Sequence, residues 1–319
     1  MVKRVGNLLL IIIASLCILL ISCQRVPGGE REQDTAAALQ QVKTGTKGVE
    51  LSLVPNYPPA TIYDQNELIA LLEIKNQGNH NLEPGDCFVK VTGFDPSILR
   101  GGLDLLRPCE ENIETLEGKT VYNLDGGFNQ VEFKASNIAL PHGIFDYQPN
   151  LNFLVCYNYQ IIASPQVCID PLLYQVSSLQ KACNYRKSVA VGGGQGGPVG
   201  ISRVGVDMVG NRAIFDITVA NLGSGTVLSP VSDLQGCGDA TTVSRQDFDK
   251  VAYTVRLADA TGTCNPRDGM VRLSNGRGKI ICSFDVPGTT AYETPLLVDL
   301  NYNYMNSISK QVRVIKTPQ

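Results

Sequence analysis

The stretch Leu72-Glu73-Ile74-Lys75-Asn76-Gln77-Gly78 recurs as Ile217-Thr218-Val219-Ala220-Asn221-Leu222-Gly223, and this repeat decides the fold. In both stretches apolar residues alternate with other residues, and an Asn-x-Gly triplet ends the run. Alternation with a period of two is typical of a half-buried β-strand, and Asn and Gly favour a turn. We therefore predict a strand followed by a turn at both places, which lie 145 residues apart.

Two further matches have the same offset. Val155-Cys156-Tyr157-Asn158-Tyr159 matches Leu300-Asn301-Tyr302-Asn303-Tyr304, and Gln166-Val167-Cys168-Ile169 matches Gln311-Val312-Arg313-Val314. In the first pair the alternate positions stay apolar or aromatic, so we expect one face to pack inward in both copies. The tyrosines there are predicted to be core residues rather than an aromatic strip for sugars or peptides. A constant offset at separated places indicates duplication of one domain.

The remaining pattern predicts an all-β protein. Short alternating runs bounded by Gly, Pro, Asn and Asp recur from residue 48 onward, without a convincing long helix. We predict one antiparallel β-sandwich over residues 48–190 and a second over 200–319. The segment 191–199 is predicted to be a Gly-rich linker or a flexible loop. Its Gly192-x-Gly194-x-x-Gly197 spacing is not read as a phosphate loop, because Pro198 stands where a helix would have to begin.

The Asn-x-Gly turns after alternating strands resemble those of CARDB-type immunoglobulin-like domains of prokaryotic, and especially archaeal, surface proteins. In that pattern Asn76 and Asn221 would cap the turn, and Gly78 and Gly223 would accept a positive φ. The resemblance covers most of residues 48–172 and 200–316. It implies two tandem immunoglobulin-like sandwiches used for spacing or adhesion, with no catalytic activity. The long segments 95–130 and 232–275 and the abundant cysteines depart from the family pattern.

The N-terminal segment has the features of an export signal. Lys3 and Arg4 precede a nearly unbroken apolar run, which ends at Leu20-Ile21-Ser22-Cys23. A basic start, a short apolar core and a small residue before the cleavage point are typical of a secretory signal peptide. The last four residues resemble the lipobox of prokaryotic lipoproteins. This resemblance implies that residues 1–22 are a signal peptide and that Cys23 carries a membrane lipid.

Two other interpretations of this segment remain open. Residues 5–22 reach the lower length limit of a membrane span, so an uncleaved single-pass anchor would tether the domain to the same side. Lys3-Arg4-Val5-Gly6 also loosely resembles a type IV pilin leader, although Pro27-Gly28-Gly29 ends the apolar helix early for a filament core. Residues 23–47 are predicted to be a flexible tether. We expect the domains on the extracytoplasmic face of the cell membrane.

The cysteines indicate disulfide bonds. Beyond Cys23 they form an even set on the oxidising side of a membrane: Cys87, Cys109, Cys156, Cys168, Cys183, Cys237, Cys264 and Cys282. Cys156 could face Cys168 across a predicted hairpin from Leu151 to Ile169, and Cys168 with Cys183 is the competing pair. Cys264 and Cys282 flank a turn and are the favoured pair in the second domain. Each domain then has one cysteine left over, which suggests an interdomain bridge or two free thiols.

No pattern in the chain marks a catalytic site. His80 and His142 stand in turn contexts and neither has a partner at metal-ligand spacing, and no serine has the frame of a nucleophile. Acidic loop positions around Asp247 and Asp268 lack a calcium-loop pattern. The formal net charge of −3 argues against nucleic acid as a partner. We therefore predict no catalytic residues, no metal and no cofactor.

The predicted function is a membrane-anchored, non-enzymatic binding, adhesion or structural protein of the cell envelope. Its partners would be membrane lipid at the N-terminus and an envelope protein or glycan. The segments 95–120 and 232–275 exceed a minimal sandwich and are the predicted recognition loops, because sandwich loops are held rigid by their scaffold. Two alternatives remain open: a pilin-like filament subunit, and an accessory or solute-binding subunit with an acid-lined pocket between its domains.

Overall fold

The structure is a computed structural model that describes residues 35–100, 104–175, 180–236, 238–239, 242–258, 260 and 262–318. These residues contain one α-helix, Thr35–Lys43 (α1), and a 3₁₀ turn at Arg245–Asp247; the rest of the regular structure is β. The predicted signal peptide and Cys23 lie outside the described residues. In the described part of the chain, no helix has the length and apolar character needed to cross a membrane.

The first half of the chain forms two facing sheets. Its strands are β1 (Val49–Leu53), β2 (Thr61–Tyr63), β3 (Leu68–Asn76), β4 (Cys87–Thr92), β5 (Leu99–Arg100), β6 (Leu106–Pro108), β7 (Phe128–Ala135), β8 (Asn137–Ile138), β9 (Asp146–Tyr147), β10 (Asn150–Ala163) and β11 (Gln166–Ile169). One sheet has the order β1-β3-β7, and the facing sheet contains β6, β4 and β10. Along β3, buried residues alternate with half-buried ones, so the predicted alternation is confirmed for this strand.

The second half repeats this plan with additions. Its strands are β12 (Ser188–Ala190), β13 (Val199–Val209), β14 (Arg212–Asn221), β15 (Thr226–Leu228), β16 (Lys250–Leu257), β17 (Gly262–Asn265), β18 (Met270–Arg272), β19 (Arg277–Asp285), β20 (Tyr292–Gln311) and β21 (Arg313–Ile315). One sheet has the order β12-β13-β14-β19-β17, and the facing sheet contains β20, β16 and β18. The predicted all-β class and the sandwich packing are confirmed.

Aromatic pairs fill the interior of each sandwich. In the first half the rings of Phe133 and Phe153, from facing sheets, lie 6.0 Å apart. In the second half Phe215 on β14 and Phe284 on its neighbour β19 lie 5.9 Å apart. All four side chains are almost completely buried. Burial of an aromatic side chain of this size contributes about 2–3 kcal/mol, so these inward faces define the core.

The two halves share one sheet. β10 pairs with β20 in antiparallel fashion, from Asn150 opposite Gln311 to Ala163 opposite Val298. The pairing continues without a shift of register beyond both ends of β10. After β10, β11 pairs with the start of β20, and before β10, β9 pairs with β21. The central sheet therefore runs β18-β16-β20-β10-β4-β6 across both halves. Residues Ala38–Gln319 accordingly form one compact unit.

The predicted hairpin from Leu151 to Ile169 is wrong. β10 and β11 run on in the same direction, with only residues 164 and 165 between them, and both pair with β20. Across this break the backbone N–H of Leu296 donates to the carbonyl of Pro165 at 3.0 Å. Cys156 and Cys168 are therefore roughly 40 Å apart along one extended stretch of chain rather than opposite each other. Proline lacks a backbone donor, so Pro165 interrupts the ladder without reversing it.

The Gly-rich segment 191–199 is packed between the halves rather than flexible. The backbone N–H of Gly196 donates to the carbonyl of Gly45 at 2.8 Å, and the Gly196 carbonyl accepts from Asn79 N–H at 2.9 Å. Gly196 has a φ of 82°, a conformation that other residues rarely adopt. A Cβ at Gly197 would overlap the side chain of Ile161. The glycines thus let the chain pass close to the central sheet and turn tightly there.

The C-terminal strand returns to the first half. β21 runs parallel to β2, with Thr61 opposite Arg313, and antiparallel to β9. The carboxylate of Asp64, next to β2, accepts hydrogen bonds from the Thr317 N–H at 2.6 Å and the Thr317 hydroxyl at 2.7 Å. Lys316 Nζ lies 2.9 Å from the same carboxylate. These contacts fix the end of the described chain to the first sandwich.

Candidate functional site

The Asn-x-Gly turns are held by the side chains of their asparagines. Asn76 Oδ1 accepts a hydrogen bond from Gly78 N–H at 3.2 Å, and its Nδ2 donates to the His80 carbonyl at 2.7 Å. In the second half, Asn221 Oδ1 accepts from Gly223 N–H at 3.2 Å. Its Nδ2 donates to the carbonyl of Gly225 at 3.0 Å. Each asparagine therefore bridges the two ends of its own turn, in the same way in both copies.

The glycines of these turns have a different role from the predicted one. Neither Gly78 nor Gly223 has a positive φ. A Cβ at Gly78 would instead overlap the hydroxyl of Tyr159, and a Cβ at Gly223 would overlap the hydroxyl of Tyr304. Glycine is required here because the hydroxyl of a buried tyrosine contacts the backbone of the turn and leaves no room for a side chain. The positive-φ explanation is therefore wrong.

The four tyrosines of the ladder connect the turns to the central sheet. The Tyr159 hydroxyl donates to Asn76 Oδ1 at 3.1 Å, and the Tyr304 hydroxyl donates to Asn221 Oδ1 at 3.1 Å. The Tyr302 hydroxyl accepts from the backbone N–H of Val199 at 3.1 Å. All four rings, including Tyr157, are at most 2% exposed. Burial raises the pKa of these hydroxyls, so they stay protonated and serve as hydrogen-bonding core residues, the interpretation favoured from the sequence.

A groove opens where the two halves meet near α1. Its volume is about 460 Å³. The walls come from the end of α1, the turn after β3, the end of β10 and the Gly-rich segment: Lys43, Asn79, His80, Gln160, Ile161, Ile162, Ala163, Ser164, Pro165, Val191 and Gln195. The floor is apolar, and an ammonium, an imidazole and side-chain amides surround it. Such a mixture of apolar walls and a few polar groups is typical of a small binding site.

A second cavity of about 670 Å³ borders this groove and shares Pro165 and Val191 with it. It extends along β11 and β12 past the Cys168–Cys183 disulfide to Arg186 and Glu293. We call these two adjoining cavities together the junction groove. Glu293 is its only acidic lining residue among the described parts of the chain. The junction groove therefore differs from the acid-lined pocket that a solute-binding alternative would require.

His80 is the residue at which the two copies differ most in this region. Its backbone N–H donates to the Tyr159 hydroxyl at 3.2 Å, and in the second half Gly225 donates to Tyr304 in the same way at 2.7 Å. The imidazole packs edge-on against the Tyr159 ring, with centroids 5.3 Å apart. Partial burial lowers the pKa of His80, so its ring is neutral at neutral pH. Gly225 of the second half thus corresponds to His80 of the first half. The neutral imidazole of His80 can both donate and accept a hydrogen bond beside the groove.

The predicted recognition segments are partly packed. In residues 95–120, Leu99 and Leu116 are buried. In the insertion between β15 and β16, which both pair with β20, Leu234, Val243 and Phe248 pack against Cys156 and Leu228 on the outer face of the central sheet. The ammonium of Lys90 on β4 pairs with the carboxylate of Asp239 from this insertion. The insertion therefore connects the second half to the first half on the outer face.

Three disulfides join described cysteines. Cys87 pairs with Cys109, Cys168 with Cys183, and Cys264 with Cys282. Of the two pairings left open for Cys168, the structure thus forms the one with Cys183, because the expected hairpin is absent. Cys156 is also disulfide-bonded. Cys237 lies outside the described residues.

The disulfides indicate an oxidising, extracytoplasmic environment. Within the described ranges, no group of three or more His, Cys, Asp or Glu side chains has an arrangement that could hold a metal ion. The acidic positions around Asp247 and Asp268 do not form such a group, and His80 and His142 lie apart on different turns. The junction groove was not predicted from the sequence, since its walls come from five separate segments.

Comparisons with known proteins add little. No family model matches the chain, and no curated protein sequence is similar to it. Among solved structures, the secreted serine protease VesC from Vibrio cholerae is similar over 87% of this chain and 52% of its own chain, with 12% identity and a TM-score of 0.19. The chain thus spans about half the length of that structure. A TM-score this low carries no argument about fold or activity.

Proposed function

We propose that this protein is a membrane-anchored, non-enzymatic binding protein of the cell envelope, and that the junction groove contacts its partner. The partner would be an envelope protein or glycan, and the anchor would be lipid on Cys23. The observation that carries the proposal is the difference between the copies at the groove. Both copies keep the asparagine, glycine and tyrosine framework, whereas the position of Gly225 in the second half is His80 in the first half, where it lines the groove.

Two further features support a binding role. The ladder of β10 and β20 and the disulfides hold the walls of the groove in fixed positions, so little conformational freedom is lost when a partner binds. Ile162 lies in the groove with 60% of its surface exposed, so an apolar side chain is available to a partner beside the polar groups there. The resemblance to CARDB-type surface domains is consistent with this role.

Site-specific photo-cross-linking on intact cells tests the contact. A photoreactive amino acid replaces Ile162 in the groove or, as the control, Ile281, which is 48% exposed on β19 of the second half. We expect a reproducible cross-link to one envelope component from position 162 and none from position 281. Adding His80→Gly, which recreates the second-half residue, should reduce that cross-link. Equal labelling from both positions would contradict the assignment of the groove.

The anchor is tested in the same material. Mass spectrometry of the N-terminal peptide should find a lipid-modified Cys23 as the first residue, and Cys23→Ser should release the protein from the membrane fraction. A mature N-terminus directly after Gly6 would favour the pilin-like alternative. An intact N-terminus that retains residues 1–22 would favour the uncleaved anchor.

A further inference from the structure

A buried carboxyl lies in the first sandwich without a hydrogen bond from any other residue. Glu110 is 5% exposed, and neither Oε1 nor Oε2 accepts a hydrogen bond from a neighbouring residue. An ionised carboxylate in such a place would lose its hydration without compensation, which costs several kcal/mol. The protonated form is therefore strongly favoured while the side chain stays inside.

Neighbouring contacts hold Glu110 in this position. The preceding residue, Cys109, is disulfide-bonded to Cys87 on β4. The side-chain amide of Asn129 on β7 donates to the carbonyls of Cys109 and Glu111, both at 2.8 Å. These two hydrogen bonds fix the backbone on either side of Glu110. The side chain cannot turn toward solvent unless some of these contacts break. The local structure thus forces an acid into the core.

The charges near Glu110 oppose its ionisation. Burial, reinforced by the carboxylates of Asp86 and Glu83 in the loop before β4, raises the pKa of Glu110 to about 7. Arg107, three residues before Glu110, forms ion pairs with Glu111 at 3.0 Å and with Asp104 at 3.7 Å. No cation in the described residues offsets the effect of Asp86 and Glu83 on this carboxyl. Protonation of Glu110 therefore changes in the physiological pH range.

The chain that follows Glu110 has little regular structure of its own. Residues 109–127, which we call the Glu110 segment, contain one isolated bridge, Leu116 opposite Leu82. The segment is tied to the first Asn-x-Gly turn, because Lys119 N–H donates to the Gly78 carbonyl at 2.6 Å and Asn76 Nδ2 donates to the Leu116 carbonyl at 3.1 Å. Beyond Cys109 its backbone hydrogen bonds close short turns or join the loop at residues 76–82, and none belongs to a strand of the two facing sheets except at Asn76. Segments outside the core strands open at lower free-energy cost than the strands themselves.

We propose that the Glu110 segment is a pH-sensitive latch on the first sandwich. With Glu110 protonated, the segment stays closed over Leu82 and the Asn76 turn. When the carboxyl loses its proton to solvent at higher pH, the ionised side chain leaves the core and the segment opens. This proposal does not depend on the junction groove or on the proposed function.

Hydrogen–deuterium exchange measured by mass spectrometry on the full-length protein in detergent tests the latch. Rates at pH 5.5 and pH 8.5 are corrected for intrinsic exchange, with EDTA present to exclude bound divalent cations. In the wild type we expect protection of peptides from residues 110–127 to fall on the order of tenfold at the higher pH, because a folded-state pKa above the open-state value couples opening to deprotonation. Peptides from β10 and β20 should not change.

Matched variants identify the responsible carboxyl. Glu110→Gln should remove the pH dependence, whereas Glu114→Gln, an exposed acid on the same segment, should keep it. If Glu110→Gln does not fold, the double variant Glu83→Gln/Asp86→Asn should still move the pH midpoint of opening downward. Equal protection at both pH values in the wild type would overturn the proposal. So would a pH dependence that persists in folded Glu110→Gln.

Discussion

Asn158 lies directly opposite Asn303 in the ladder that joins the halves, and its Nδ2 donates to Asn303 Oδ1 at 2.8 Å. These two residues are also duplicates of each other, since they share the offset of the sequence repeat. A residue that pairs with its own duplicate in an antiparallel ladder marks a twofold axis. On either side of it, Tyr157 lies opposite Tyr304, and Tyr159 lies opposite Tyr302. The two halves are thus related by a local pseudo-twofold axis at this pair.

The shared ladder predicts that both halves unfold together. Asn303 is 1% exposed, and its Nδ2 also donates to the Ser232 carbonyl at 2.9 Å. Asn303→Ala would leave that carbonyl without a partner and remove the shortest of the three hydrogen bonds of the Asn158 amide, which should lower the free energy of unfolding by about 1–3 kcal/mol. Urea denaturation followed by circular dichroism should show one transition, shifted as a whole. Ser309→Ala, on the exposed part of β20, is the control and should have little effect. Two separate transitions in the wild type would argue against this coupling.

The turn glycines should tolerate no side chain. Gly78→Ala and Gly223→Ala would each push a methyl group into a tyrosine hydroxyl, and we expect a loss of about 1–3 kcal/mol for each variant. Gly192→Ala is the matched control, because a Cβ there meets no atom within 4 Å and the residue has no positive φ. Thermal melting of the three variants measures the difference.

A double variant distinguishes a clash with the tyrosine hydroxyl from an effect on the backbone conformation of the turn. Tyr304→Phe removes the hydroxyl that a Cβ at Gly223 would meet first. The double variant Gly223→Ala/Tyr304→Phe should therefore be more stable than the sum of the two single losses predicts. Strict additivity would show that the Tyr304 hydroxyl is not the cause of the loss in Gly223→Ala.

Asp64 should stabilise the protein only above acidic pH. Hydrogen bonds from Thr317 and Lys316 lower the pKa of this buried carboxyl to about 2. Because the folded-state pKa lies below the unfolded value, the stabilisation is present above about pH 4 and is lost as the pH falls toward 2. Asp64→Asn should cost about 1–2 kcal/mol at pH 7 and much less near pH 2. Urea unfolding at the two pH values measures this, and an equal cost at both would contradict it.

Individual strands could be predicted from the sequence, whereas their pairing and the contacts between distant segments could not, for physical reasons. β3 and β14 were predictable because alternation along one strand is a local property. The pairing of β10 with β20 was not predictable, since the partner of a strand is chosen by contacts between distant segments. The hairpin from Leu151 to Ile169 was wrong because the break at residues 164 and 165 does not reverse the chain, and β10 and β11 pair with the same distant strand. The role of Gly78 required knowledge of where the Tyr159 hydroxyl lies, and the junction groove required five segments to be placed together.

The remaining bond of Cys156 should cross between the halves. Cys156 is disulfide-bonded, and the other six described cysteines pair with one another. Beside Cys156 on β10, Leu154 lies against Gly238, since a Cβ there would approach Leu154 Cδ2 to 2.9 Å. On the neighbouring β4, Lys90 pairs with Asp239. We therefore predict Cys237 as the partner, which would be the interdomain bridge suggested by the cysteine count.

Non-reducing peptide mapping by mass spectrometry should find one peptide that contains both Cys156 and Cys237. The double variant Cys156→Ser/Cys237→Ser should lower the stability by about 3–4 kcal/mol, because the bond closes a long loop, although this magnitude depends on the chain-entropy model. It should also increase hydrogen exchange in residues 229–249, which would lose a covalent tie to the outer face of the central sheet. A Cys237 that reacts with a thiol reagent in the native, oxidised protein would show that the bridge is absent.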